Sequence, residues 1–208
     1  MKIAVIGANG KAGRLIVKEA LSRNLDVTAI TRSENKSDAA KSLQKDLFSL
    51  KYEDLKDFDV IINAFGTSPA NAPQHITSLM HLCDILSGKN NRLLIIGGAG
   101  SLYTNPEHTK KVIDAPDFPD AFKPTAGNMS KSLDELRKRD DVKWTYISPA
   151  AAFKADGART GKYVLAGEEF TVNAKGESII SYADYAIAMI DEAVKGNHIQ
   201  QRISVHGE

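Results

Sequence analysis

Short apolar runs alternate along this chain with longer stretches in which apolar residues return every three or four positions. Residues 2–7, "KIAVIG", form a β-branched run closed by glycine, the pattern of a buried strand. Residues 13–24, "GRLIVKEALSRN", set Leu15, Ile16, Ala20 and Leu21 toward one face of a helix. "DVTAIT" (26–31) predicts a second strand and "DAAKSLQKD" (38–46) a short helix. "FDVIINAFG" (58–66) is continuously apolar at its centre, as expected of a strand covered on both faces. "HITSLMHLCDILSG" (75–88) predicts a helix stopped at Gly88, and "RLLIIGGAG" (92–100) another strand. A charged surface helix is expected over 130–139, a strand over 142–148 and a last strand over 202–206. The late helix, 184–196, is marked by a Ser181-x-x-Asp184 capping box and by Gly196 after its end. Residues 149–181 break the alternation. They are rich in Gly, Ala and Lys, and a small hairpin is expected there, "FTV" and "SII" joined by Asn173–Gly176.

Alternating strands and helices of this kind imply an α/β domain, a mostly parallel sheet with helices on both faces. The 208 residues fit one such domain, with 149–181 shaping the substrate side. Composition narrows the function classes further. The formal net charge is +1, so no global field points to nucleic acid or to an anionic membrane. Apolar runs such as "VII" at 60–62 and "LLII" at 93–96 are far short of a membrane span, and the N-terminus lacks a signal-peptide layout. A lone cysteine, Cys83, permits no internal disulfide, and its apolar helical setting reads as core. These features together predict a cytoplasmic protein. The five histidines form no i, i+4 pair and there is no second cysteine, so no metal site is expected. Neither a GxSxG elbow nor a Walker-type phosphate loop is present.

One stretch carries chemistry. Gly7-x-x-Gly10-x-x-Gly13 leaves the first strand and opens the first helix, where a dinucleotide pyrophosphate is bound. Gly7 permits the sharp turn, Gly10 the close approach of backbone to phosphate, and Gly13 the packing of helix on sheet. The amides around Asn9, Lys11 and Ala12 then sit at a helix N-terminus, which attracts negative charge. The second strand ends in Thr31-Arg32-Ser33. An arginine there accommodates the 2′-phosphate of NADP, whereas an acid would bind the free ribose of NAD; the nearest acid, Glu34, comes two residues late.

Taken in order, GxxGxxG, "ITRS", "VIINAFG", "LLIIGGAGS" and "WTYISPA" resemble the atypical short-chain dehydrogenase/reductases. Within them the chain is similar to the NAD(P)H-binding branch, with its flavin reductase-like, biliverdin/flavin reductase-like and NmrA-like members. "DGARTGKYVLAG" followed by "SIISYADYAIAMIDE" is similar to the tail of the flavin-reductase-like group. The resemblance implies a Rossmann-type doubly wound sheet. It also implies that Ala64, Phe65 and Gly66 lie by the adenine and its ribose, and that Gly97, Gly98 and Ala99 pass beneath the nicotinamide ribose. Ser148, Pro149 and Ala150 would back the nicotinamide ring, and Phe153 would lie against a planar substrate or in the core. Arg159 or Lys162 would be available to an acceptor's phosphate.

The chain departs from its relatives at the catalytic pair. Ketone-reducing members carry Tyr-x-x-x-Lys on the helix after the fifth strand, the tyrosine giving a proton and the lysine lowering its pKa. Here that region reads "TAGNMSKSLDELRKR", with Lys131 and no tyrosine near residue 127; Tyr52-x-x-x-Lys56 falls before the fourth strand and is coincidental. Ser101, Tyr103 and His108 are weak substitutes. A flavin or quinone acceptor needs less help with its proton, since the reduced ring can be protonated by solvent. The expected function is therefore an NADPH-preferring oxidoreductase acting on a small planar acceptor such as FMN. A non-catalytic redox sensor with a protein partner, or a homodimer of the enzyme, remains open at this point, and a nucleotide-sugar epimerase is a third, weaker reading.

Overall fold

The structure, a computed structural model, describes residues 1–208. Ten strands follow one another along the chain: β1 (Lys2–Ile6), β2 (Asp26–Thr31), β3 (Lys41–Gln44), β4 (Val60–Asn63), β5 (Arg92–Ile96), β6 (Lys143–Pro149), β7 (Ala152–Lys154), β8 (Val164–Ala166), β9 (Ile179–Ser181) and β10 (Gln201–His206). Five α-helices lie between them: α1 (Lys11–Ser22), α2 (Tyr52–Leu55), α3 (Gln74–Ile85), α4 (Lys123–Leu136) and α5 (Tyr182–Lys195). Eight strands form one sheet in the order β3-β2-β1-β4-β5-β6-β10-β8. All neighbours are parallel except β8, which runs antiparallel on the outer edge of β10. The order reverses beside β1, so that β2 lies on one side and β4 on the other. At such a switch point the loops leave in opposite directions and open a crevice at the carboxyl ends of the strands.

Both faces of the sheet are covered, which is why β1, β4 and β5 read as unbroken apolar runs. On one face Ile16, Val17 and Ala20 of α1 and Ala186, Met189, Ile190 and Ala193 of α5 pack on Ile3, Val5, Val60 and Ile62. On the other, Leu79, Leu82 and Cys83 of α3 and Leu133 and Leu136 of α4 pack on Ala4, Ile61, Leu93 and Tyr146. Arg23 ties α1 to α5 through Asp191, at 2.6 Å. Asp191 also accepts the Tyr163 hydroxyl at 2.7 Å.

Three expectations are corrected. The helix over 38–46 is an edge strand: Leu43 packs on the core while its neighbours stay in solvent, and Thr28–Thr31 of β2 supply its ladder. Ala39 and Leu43 mimic a helical repeat, but pairing with an open sheet edge overrides local propensity. The helix over 130–139 begins seven residues earlier, with Pro124 in the first turn, where its missing N–H costs nothing. In the late segment the turn at Asn173–Gly176 forms, with the Gly176 N–H donating to Asn173 O at 2.9 Å. Residues 179–181 nevertheless pair in parallel with β7 rather than with "FTV". The α5 caps form with one change. Ser181 Oγ accepts the Asp184 N–H at 2.9 Å and Gly196 adopts φ +69°, but the buried Asp184 carboxylate is taken by Thr160 and Gly161 instead of closing the box. No helix is long and apolar enough to cross a membrane.

Candidate cofactor-binding site

A cleft of about 470 Å³ opens at the switch point, floored by the ends of β1, β2 and β4. Its turn is built around the two outer glycines. Gly7 has φ +77°, and a Cβ there would stand 2.6 Å from Ala64 O; at Gly13 it would stand 2.4 Å from Gly7 O. No side chain caps α1, so the amides of Lys11, Ala12 and Gly13 face the cleft mouth without a protein acceptor. Unsatisfied amides at the positive end of a helix make a seat for an anion. The glycine cradle, the uncapped helix and the cleft's volume fit a dinucleotide.

The cleft wall brings together Gly7, Asn9, Gly10, Lys11, Ala12, Gly13, Thr31, Arg32, Ser33, Ala64, Phe65, Gly66 and Phe153 of the residues named from the sequence. Asn9 holds its own loop in place: its Nδ2 donates to Glu34 O at 2.8 Å and its Oδ1 accepts from the Lys36 N–H at 2.7 Å. The Thr31 hydroxyl donates to Ser33 O at 2.7 Å, shaping the bend from which Arg32 projects. Arg32 is exposed and makes no ion pair. Phe153 packs at a tilt of 40° against Tyr182 with ring centroids 4.0 Å apart and also touches Tyr185, so it is at once a core contact and a cleft wall.

The structure adds Lys45, Asp46, Leu47 and Tyr182 to this wall. Reading 38–46 as a helix hid Lys45 and Asp46, and Leu47 follows directly after it. Asp46 Oδ1 caps the Phe48 N–H at 2.9 Å, so the Asp-Leu pair after a strand was the available signal. Tyr182 opens α5 directly after β9, and only the parallel pairing of β9 with β7 brings it beside Phe153.

Residues 97–99 and 148–150 lie deeper. Gly97, Ser148, Pro149 and Ala150 are buried, and a Cβ at Gly97 would meet the Tyr146 ring at 2.3 Å. The Gly98 N–H donates to Tyr146 Oη at 3.3 Å, while the hydroxyls of Ser148 and Ser101 both donate to Gly98 O, at 3.0 and 3.3 Å. Burial pushes the Tyr146 phenol up to about 12, so it stays a neutral strut. These residues brace the loop after β5 from behind.

Other named residues lie apart from the cleft. Tyr103 and His108 stack face to face at 4.4 Å, and His108 Nε2 pairs with Glu169 at 2.7 Å. Arg159 is paired with Glu19 of α1 at 3.0 Å and Lys162 with Glu208 at 3.0 Å. Lys131 is exposed, and Gly127 stands four residues before it, with Ile113 Cδ1 3.8 Å from where its Cβ would be.

The family described as NAD(P)H-binding matches residues 7–193. This chain belongs to that family. It is 46% identical over 212 residues to the YwnB protein of Bacillus subtilis (strain 168), covering the whole of this chain and 99% of that one. Among solved structures it is similar to SP1627 of Streptococcus pneumoniae TIGR4, described as a "putative NADH-flavin reductase". The two share 51% identity and a TM-score of 0.98, with both chains fully covered. ChuY of Escherichia coli O157:H7, an anaerobilin reductase, has a TM-score of 0.74 over 100% of this chain and 97% of its own. At 17% identity that likeness concerns the fold alone. The family-level reading made from the ordered motifs thus holds, and with it the Rossmann-like, atypical short-chain dehydrogenase/reductase fold.

Proposed function

We propose that this protein is an NAD(P)H-dependent reductase that takes NADPH in preference to NADH and reduces a small planar acceptor, a flavin or a quinone. When bound, the dihydronicotinamide supplies the hydride. The uncapped start of α1 would seat the pyrophosphate, and Arg32 with Ser33 would grip a 2′-phosphate. Arg32 supports the NADPH preference most directly. It is a cation at the cleft rim with no carboxylate partner, beside the residues that end β2, and a guanidinium in that position can bind a phosphate with two N–H groups. Phe153 and Tyr182 offer an aromatic wall on which a flat ring can lie. On the acceptor side no tyrosine stands at residue 127 and Lys131 points to solvent. An acceptor whose reduced ring takes its proton from water suits such a site.

The test is a titration of NADPH and NADH into the wild-type protein and into Arg32→Ala, followed by NADPH oxidation with and without FMN or a soluble quinone. NADPH binding should weaken by about 1.5–3 kcal/mol, the worth of hydrogen bonds to a charged group, while NADH binding barely moves. Equal losses for the two nucleotides would remove the NADPH assignment. Tight binding with no acceptor-dependent oxidation would remove the reductase and leave a nucleotide-reading sensor.

A further inference from the structure

Beneath the cleft wall lies a second, much smaller cavity of about 10 Å³ between α3 and α4, lined among others by Asn63, Phe65, His75, Ser78 and Ile96. Phe65 and Ile96 also line the cofactor cleft, so a single layer of side chains separates the two spaces. Four buried side-chain polar atoms in the molecule have no protein partner, and two of them, His75 Nε2 and Ser78 Oγ, belong to residues that line this cavity. Ser78 is 1% exposed. Buried polar atoms are ordinarily satisfied, and a polar void with the room of one solvent molecule is where an internal water is held. Asn63 also lines this space, and its Oδ1 accepts the Phe65 N–H at 3.1 Å. The His75 ring meets the edge of Phe65 at 6.0 Å and 76°. Burial without a charged partner lowers the His75 pKa, so the ring is neutral and Nε2 can give or take one hydrogen bond.

We propose that this cavity is a site for one ordered water bridging His75 Nε2 and Ser78 Oγ, and that the bridged pair holds Phe65 in place as the cleft's inner wall. His75 and Ser78 are then positioning residues. They touch no nucleotide but set the surface on which it lies. The second half of this inference rests on the cleft being the nicotinamide-nucleotide site.

Water-to-protein NOE spectra of the ligand-free protein, read at His75 and Ser78, test the first half. A long-lived water at both residues is the expected result, lost in Ser78→Ala, with the Phe65 ring signals displaced in that variant. Absence of such a water in the wild type overturns the site. For the second half, Ser78→Ala should weaken NADPH binding three- to tenfold and leave kcat at saturating NADPH unchanged. His75→Gln, which keeps a group able to bond the water, should hold affinity within twofold of wild type, and His75→Leu should not. Unchanged affinity in both Ser78→Ala and His75→Leu overturns the positioning role. If the wild type binds no nicotinamide nucleotide, the cleft assignment fails, while the water and the Phe65 signals still report on the site itself.

Discussion

Gly13→Ala is the sharpest probe of the turn. A Cβ at residue 13 would stand 2.4 Å from Gly7 O, 2.9 Å from Ala8 Cα and 3.0 Å from Gly7 C, all backbone atoms with no rotamer to yield. Reaching ordinary contact needs a displacement of about 1 Å, and α1 must lift away from β1 to provide it. That shift falls on the amides of Lys11 and Ala12, which meet the phosphates in the proposed reading. Overpacking of this kind costs about 1–3 kcal/mol of stability. Misplacing binding groups by about 1 Å costs up to ~100-fold in function, so nucleotide affinity should suffer at least as much as stability. Calorimetric titration with NADPH, run beside thermal unfolding with and without nucleotide, separates the two. The expected result is at least a tenfold loss of affinity, about 1.4 kcal/mol, together with most of the nucleotide-induced rise in Tm. A lower Tm with wild-type affinity would refute the reasoning, because the turn would then be a folding device and nothing more.

Three further outcomes follow from groups away from the cleft. Glu168 lies between Arg137, at 2.6 Å, and the fully buried Arg202; Glu168→Ala leaves that guanidinium without its anion and should cost about 3 kcal/mol by urea unfolding, whereas a loss near zero would show the charge already solvated. The Asp184 carboxylate accepts the Thr160 N–H at 2.9 Å, its hydroxyl at 2.8 Å and the Gly161 N–H at 2.9 Å; Asp184→Asn should free residues 157–163 to limited proteolysis, and an unchanged digestion pattern would count against the anchor. Burial pushes the Cys83 thiol up to about 12 from an ordinary 9.0. The folded state therefore holds this proton more tightly than the unfolded one, and the stability it contributes is complete below about pH 9 and lost as pH rises toward 12. Cys83 should resist iodoacetamide at pH 8 until denaturant is added, and alkylation of the native protein would contradict its burial.

Much of this was legible because the signals were local. A β-branched run closed by glycine can hardly be anything but a strand entering a turn, and Ser181 and Gly196 bracket α5 within a residue or two of its ends. The turn itself and Arg32 could be placed from spacing, since each follows a recognisable strand, and the Ala64–Gly66 segment from the family resemblance. What escaped depends on pairing at a distance. "KSLQ" is a strand only because β2 offers a free edge, and Lys45, Asp46 and Leu47 reach the cleft only as a result. Tyr182 was hidden in the same way, as the first residue of a helix whose approach is set by the β7–β9 pair. Arg159 read as an acceptor ligand from its position after the sixth strand, yet the half-buried face of α1 offers it Glu19, and sequence spacing holds no trace of that partner.

Gly98 spends its backbone hydrogen bonds inside the protein. Its N–H is given to Tyr146, and both lone pairs of its carbonyl are taken by serine hydroxyls. No polar valence is left over for anything resting above it. Under the proposed reading, in which the nicotinamide ribose passes over this loop, Gly98 would meet that ribose by contact alone and add shape, not a hydrogen bond, to the choice of cofactor.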